Sequence, residues 1–329
     1  MIHPAGVNYE GVKVAIIGAS GFIGAHLVRR LLRAGAKVEA VSRVERDDAG
    51  GVRWWRARTT DAAETERTLD AIQPEVVFHL ASHVSGARSV DLVAPTLEAN
   101  LLSTVNVLTW AAQRGCERVV LAGSMEEPAS SGSEATPSSP YAAAKQAAGA
   151  YGRMFHALHG VPVANLRVFM TYGPGQRDDT KLVPYVTQCL LRGEEPQVSS
   201  GRRVVDWIYV EDVAEAFAVA GANPGLEGET VDVGTGRGTS IGRVVEMLQE
   251  LIGAGRKASL GAVPDRPMET ERVADVERSS ALLRGWRPRT TLETGLERTV
   301  EWYRRRPTRP RDADASVQPP MLGPALTRR

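Results

Sequence analysis

Cysteine is nearly missing from this chain: Cys116 and Cys189 are the only two in 329 residues. Two thiols cannot build a disulfide framework or fill a metal site alone, which fits a reducing cytosol. Excess charge of either sign is lacking too, since 40 basic side chains offset 39 acidic ones and leave a net charge of +1. Bulk electrostatics therefore point to neither nucleic acid nor membrane as a partner. No apolar run is long enough to span a bilayer, and Met1 to Tyr9 lacks the charged and apolar regions of a signal peptide. A cytoplasmic location is expected. No internal repeat is present.

What is present is an alternation of short apolar runs and longer amphipathic ones. Val12 to Ile17 reads as a strand, Phe22 to Arg33 as a helix, and Lys37 to Val41 and Val76 to Leu80 as strands. A long helical stretch from Leu92 to Arg114 leads into strand Arg118 to Ala122, and helix Tyr141 to Leu158 into strand Pro162 to Phe169. Strands alternating with helices imply right-handed βαβ units and a parallel sheet covered on both faces. The expected fold class is α/β, a Rossmann doubly wound parallel sheet with a smaller C-terminal α/β substrate domain. After Tyr172 the glycines and Pro174 break the pattern. Strands at Val204 to Val210 and Thr230 to Val233 and helices at Asp212 to Ala222 and Ile241 to Ile252 follow, with one or two returns to the sheet. The expected division is a dinucleotide-binding domain at 10–175, with returns near 204–238, and a substrate domain at 176–306. The Arg-, Pro- and Ala-rich tail, 307–329, is expected to be disordered.

The first strand runs directly into Gly18-Ala-Ser20-Gly21-Phe22-Ile23-Gly24, and a helix follows. Glycines here let the backbone turn tightly, approach a pyrophosphate and pack the helix onto the sheet, with the phosphates on the helix N-terminus. At the end of the next strand, where an NAD site carries an acidic residue for the ribose, stand Ser42 and Arg43. A carboxylate would repel a 2′-phosphate, whereas an Arg adds a charge-assisted bond of roughly 1.5–3 kcal/mol, about ten- to a hundredfold in preference. NADP(H) is favoured, with NAD(H) left open.

Tyr141-Ala-Ala-Ala-Lys145 sets a phenol and an ammonium one helical turn apart on one face. A free Tyr titrates near ~10, and a cation beside it favours the phenolate and brings it into range for proton transfer. Ser124 follows the strand ending at Ala122, at the carboxyl edge where α/β proteins bind ligands.

Together these segments resemble the extended short-chain dehydrogenase/reductase family of nucleotide-sugar epimerases, dehydratases and reductases. The resemblance runs from Lys13 to about Arg304. It takes in Phe78-His-Leu-Ala-Ser82 (with Leu80, Ala81 and Ser82 lining the cofactor), Asn100, Leu166 to Gln176 with Phe169, Asp206 to Val213, Gly285 to Pro288 and Leu292 to Leu296. It implies Tyr141 as acid/base, Lys145 as the residue that orients the ribose and tunes Tyr141, and Ser124 as the anchor of the reacting sugar oxygen. It also implies a nucleotide-sugar substrate and a homodimer formed through the helices Leu92 to Arg114 and Tyr141 to Leu158.

Gly123-Ser-Met-Glu-Glu127 narrows the choice. Sugar 4,6-dehydratases resemble S/T-D-E here, and Met125 takes the place of that Asp, while Glu126 remains as a base. The G-S-x-E-E form is similar to reductases of nucleotide-linked 4-keto-6-deoxy sugars. With Ser42-Arg43 it leads to the expectation of NADPH-dependent reduction at C4 in deoxysugar biosynthesis. The alternatives are an NAD-dependent epimerase, 4,6-dehydratase or decarboxylase of the same family and, remotely, a cofactor-sensing regulator. Glu126 and Glu127 also read as a solvated loop pair. Met125, Met170, Arg203 and Arg266 are the candidate substrate contacts beside Ser124, although Met170 replaces a frequent Asn, Val205 a frequent Arg, Arg58 an adenine-contacting Asp, and Pro128 a Tyr. His79 and His83, without clustered carboxylates or thiols, read as polar lining and not as metal ligands.

Overall fold

After its first residue, Lys13–Ile17 (β1) is apolar and buried throughout, because a central parallel strand is covered on both faces. Phe22–Leu32 (α1), Lys37–Ser42 (β2), Val52–Arg56 (β3), Ala62–Ile72 (α2) and Val76–His79 (β4) follow it. The computed structural model describes residues 7–128, 136–253, 255, 257–266, 268 and 271–305. The expected disordered tail, 307–329, lies outside the described residues.

The stretch from Leu92 to Arg114 is not one regular helix. It comprises a 3₁₀ turn at Val90–Leu92, a short helix Val93–Thr96 (α3), a π-helical segment Leu97–Leu102 and the regular helix Ser103–Arg114 (α4). The π-helical turn carries Asn100 to a buried position, 1% exposed. Its side-chain oxygen accepts the Ser82 hydroxyl at 2.9 Å and the His83 N–H at 2.7 Å, so it pins the loop after β4. π-Turns inside helices recur at functional sites.

Arg118–Ser124 (β5), Pro140–His159 (α5) and Val163–Val168 (β6) complete the first half. α5 starts at the Ser139 cap, which accepts the Ala142 N–H, with Pro140 in the first turn, and ends at left-handed Gly160. Then come Met170–Tyr172 (β7), Leu182–Leu191 (α6), Gln197–Val198 (β8), Val204–Tyr209 (β9), Val210–Gly221 (α7) and Thr230–Val233 (β10). Gly238–Ser240 (β11), Ile241–Ile252 (α8), Ser259–Leu260 (β12), Val276–Leu282 (α9) and Leu292–Arg304 (α10) end the described chain.

The large sheet has the order β10-β6-β5-β4-β1-β2-β3, and every pairing in it is parallel. This is the doubly wound α/β fold, with its switch point between β1 and β4. Alternate strand residues feed two cores. Ile16, Phe78 and Val120 pack with Leu27 and Leu31 of α1 and with α7, while Ile17, Val77 and Val119 pack with Leu69 of α2 and Leu108 of α4. From the second half only β10 joins the large sheet. β9 lies instead in a three-stranded sheet between β11 and β7, and β8 pairs with β12. Among the described residues, no helix is long and apolar enough to cross a membrane.

Candidate active site

The turn after β1 is shaped for a close approach. Gly18 has φ +90°, and a Cβ there would lie 2.6 Å from the Ala81 nitrogen, so the turn and the loop after β4 touch backbone to backbone. A Cβ on Gly24 would overlap the Gly18 carbonyl oxygen. Gly21 caps α1 with no side-chain hydrogen bond, and the first turn of α1 holds no acidic residue. Its free N–H groups and the positive helix end suit a pyrophosphate. The residues thus fit a dinucleotide: the cradle is one that a side chain would fill. Ser20, Phe22 and Ile23 lie within this turn, and Leu80, Ala81 and Ser82 form the facing loop. At the end of β2, Ser42 is buried, its hydroxyl accepting the Val44 N–H at 3.2 Å, while Arg43 is exposed. Arg43, Arg56, Arg58 and Arg67 line a cavity of about 500 Å³ with Glu64 and Thr68.

At the carboxyl end of β5 the catalytic candidates converge. Ser124 and Lys145 are each 6% exposed and Tyr141 9%. Small residues allow this: α5 lies so close to the sheet that a Cβ on Gly152 would touch Leu121 at 3.2 Å and Val163 at 3.3 Å. Lys145 Nζ donates to the Ala122 carbonyl at 2.7 Å and stands 5.9 Å from the centre of the Tyr141 ring. Burial pushes the Tyr141 phenol up to about 12, opposed by hydrogen bonding with Ser124 and, more weakly, Ser82, and reinforced by the negative charges of Glu127 and Glu126. Burial also pulls Lys145 down to about 8, with Glu127 opposing it. At neutral pH the site thus holds a neutral phenol beside a lysine that stays mostly cationic and loses its proton around pH 8. A positive nicotinamide ring at this point would favour the phenolate.

A glycine cradle after β1, a facing loop pinned by Asn100 and the Ser124, Tyr141 and Lys145 side chains thus meet at the carboxyl end of the sheet. Residues 14–234 match the NAD dependent epimerase/dehydratase family. The chain belongs to that family. The UDP-glucose 4-epimerase of Mycolicibacterium smegmatis is 30% identical over 322 residues, covering 89% of this chain and 99% of the relative. The dTDP-glucose 4,6-dehydratase of Salmonella typhimurium is 26% identical, covering 89% and 92%. Among solved structures, MoeE5 in complex with UDP-glucuronic acid and NAD superposes with a TM-score of 0.80 at 32% identity, covering 89% of this chain and 99% of MoeE5. The chain is therefore an NAD(P)-binding enzyme of the nucleotide-sugar epimerase/dehydratase family.

Within that family frame the loop after Ser124 departs from expectation. Glu126 and Glu127 do not form a solvated pair. Glu126 accepts from Arg203 at 3.3 Å, and Glu127 is turned inward, 6% exposed, with a side-chain oxygen accepting the Ser124 N–H at 2.7 Å. Tertiary partners distant in sequence, Arg203 and Arg167, decide this, which is why the local pattern concealed it. Met125 is 6% exposed and belongs to the apolar core, where it offers no acid. Met170 is half-buried on β7 opposite Trp207, and Phe169 is buried beneath the Arg272 guanidinium, 5.9 Å from the ring centre. Arg266 comes from the segment after β12 to lie against Gly86, in the loop that follows Ser82. His79 is buried, with Nε2 2.9 Å from the Ser103 hydroxyl, and burial holds its pKa down to about 3. Among the described residues, no group of three His, Cys, Asp or Glu could hold a metal ion.

Proposed function

We propose that the enzyme carries out oxidoreduction at C4 of a sugar linked to a nucleoside diphosphate, and that it works as a 4-epimerase. The observation that carries this reading is the meeting of Ser124, Tyr141 and Lys145 at the end of β5 beside the Gly18–Gly24 cradle. The full-length likeness to a UDP-glucose 4-epimerase supports the epimerase form. Buried Met125 disfavours 4,6-dehydration, because the proton donor to the leaving hydroxyl is missing. When bound, the dinucleotide supplies hydride exchange with C4. The residues do the rest. The Ser124 hydroxyl holds the C4 oxygen, Tyr141 Oη removes its proton in oxidation and returns it in reduction, and the Lys145 cation favours the phenolate between those steps. Arg266, which lies against Gly86, and Arg203, which donates to Glu126, are assigned in this reading to meet the anionic diphosphate.

A second reading, NADPH-dependent reduction of a 4-keto sugar nucleotide, is favoured by one observation: β2 ends in Ser42-Arg43 with no carboxylate, and Arg43, Arg56, Arg58 and Arg67 line the adjoining cavity, where Glu64 is paired with Arg58. Incubation with UDP-glucose, and separately with 4-keto nucleotide sugars and NADPH, separates the two. C4 interconversion without net nicotinamide turnover supports the epimerase, and stoichiometric NADPH loss supports the reductase. The absence of both outcomes would refute both readings. In the NADPH reading, Ser42→Asp is expected to shift preference toward NADH by about ten- to a hundredfold, read as the ratio of dissociation constants, because the carboxylate repels the 2′-phosphate.

We also propose a homodimer. Val90, Val93 and Leu97, together with Tyr151 and Leu158 of α5, leave apolar surface exposed on neighbouring helices. Light scattering is expected to give twice the monomer mass, and Val93→Glu with Leu97→Glu is expected to halve it. A monomeric wild-type protein would remove this proposal.

A further inference from the structure

Glu127 takes no part in the chemistry above, yet it is the one buried glutamate among the described residues. One carboxylate oxygen accepts the Ser124 N–H at 2.7 Å, and the other lies 3.7 Å from Arg167 Nε. Arg167 donates to Asp232 at 2.8 Å, and Asp232 accepts the Asp275 N–H at 3.2 Å. From the other side, Arg272 donates to the Glu127 carbonyl at 3.0 Å while its guanidinium covers Phe169. A Cβ on Gly123 would lie 2.6 Å from the Glu127 carboxylate and 2.9 Å from the Asn165 side chain, so glycine leaves the space that the carboxylate fills. A continuous polar chain thus joins the catalytic loop to β6, β10 and the start of α9.

Packing alone does not call for a carboxylate here, because burying one is costly unless charges and hydrogen bonds compensate. We infer that Glu127 is a positioning residue of the active site: its carboxylate clamps the Ser124 backbone and sets a negative charge behind the Lys145–Tyr141 pair. The inference rests on Ser124, Tyr141 and Lys145 being the reacting set. The charged groups around it act in a consistent sense. Burial raises the proton affinity of Glu127, while the Ser124 N–H, Arg167, Lys145 and Arg272 oppose that rise. Glu127 in turn raises the pKa of Lys145 and, with Glu126, that of Tyr141. Removing its charge should therefore make both groups lose their protons at lower pH.

The chain has only five lysines, Lys13, Lys37, Lys145, Lys181 and Lys257, so Lys145 can be followed directly. In full-length protein carrying isotope-labelled lysine, the ε-carbon resonance lost in Lys145→Arg identifies it. In the wild-type protein it is expected to titrate at about pH 8. Glu127→Gln keeps an oxygen for the Ser124 N–H and loses the charge. Its Lys145 midpoint is expected to fall by roughly half a unit or more, about a threefold change in protonation at fixed pH. An unmoved midpoint in folded Glu127→Gln overturns the charge role. Glu127→Asp keeps the charge and shortens the reach to Ser124. It is expected to leave the Lys145 midpoint in place and to lower kcat by about tenfold with dinucleotide affinity unchanged. Wild-type turnover in Glu127→Asp overturns the clamp, whether or not Glu127→Gln folds. The titration needs no substrate, so its result is separate from that of the nucleotide-sugar reading.

Discussion

Replacing Tyr141 by Phe is expected to lower turnover by about 10²- to 10⁴-fold while leaving dinucleotide and nucleotide-sugar affinity within about twofold. The ring sits 9% exposed in a slot between β5 and α5, and Phe fills the same slot, so only the hydroxyl is lost. No neighbour can replace that hydroxyl. Ser124 has no means of ionising near neutrality, and Lys145 Nζ is turned to the Ala122 carbonyl at 2.7 Å. The sign of the pH effect follows from the direction of the shift. Burial pushes the phenol up to about 12 without dinucleotide, so the wild-type oxidation rate should rise with pH as the phenolate forms. The cationic nicotinamide moves that rise to lower pH. The residual rate of Tyr141→Phe should lack the rise. Paired binding and rate measurements across pH test this, and a rate within about threefold of wild type would remove Tyr141 from the reacting set.

The second large effect concerns stability. Asp206 is completely buried, and its carboxylate accepts four backbone and side-chain donors: Thr235 N–H at 2.8 Å, the Thr235 hydroxyl at 2.5 Å, Gly236 N–H at 2.8 Å and Ala274 N–H at 3.0 Å. It ties β9 to the turn after β10 and to the strand-like segment before α9. Asp206→Ala leaves several buried donors without acceptors, at roughly 1–3 kcal/mol each, so a loss of about 4 kcal/mol is expected. For a chain of this size that is a fall in Tm of roughly 10 °C. Calorimetry with and without dinucleotide checks it, and a shift of less than about 2 °C would show that water or a rearranged loop satisfies those donors.

These two residues illustrate what could be read from sequence and what could not. Tyr141, Lys145 and the glycine turn are local patterns, set by one helical turn or one strand–helix junction, and their spacing carries their meaning. Asp206 was visible only as part of a family motif. Its work as a tertiary knot depends on Thr235, Gly236 and Ala274, which spacing does not reveal. Asp212 in the same motif accepts the Arg289 and Thr290 N–H groups at 3.1 and 3.0 Å, and Gly295 leaves room for the Tyr172 hydroxyl. β3 and α2 went unread for a different reason. Val52–Arg56 is a short edge strand whose Trp54 and Trp55 are covered by Arg46 and Arg53, with guanidinium-to-ring distances of 5.1 and 4.5 Å, so its pattern looks like surface. For α2 a signal existed: Asp61 caps it by accepting the Glu64 N–H at 2.8 Å. The π-helical turn that buries Asn100 has no comparable sequence signature. Nor could spacing show that Glu127 points inward, because Arg167 and Arg272 hold it there from far along the chain.

The most direct test of the account is the absorbance of reduced nicotinamide in the purified, dinucleotide-loaded enzyme after addition of nucleotide sugars, UDP-glucose first. The wild-type enzyme is expected to exchange hydride with a nucleotide sugar, seen as a transient change in that absorbance with a C4-interconverted product or as its net loss with a 4-keto sugar, and Tyr141→Phe is expected to show neither on the same timescale. A protein that binds the dinucleotide, yet changes neither that absorbance nor the C4 configuration of any nucleotide sugar or 4-keto sugar nucleotide tried, would contradict the assignment of Ser124, Tyr141 and Lys145 as the machinery of C4 oxidoreduction.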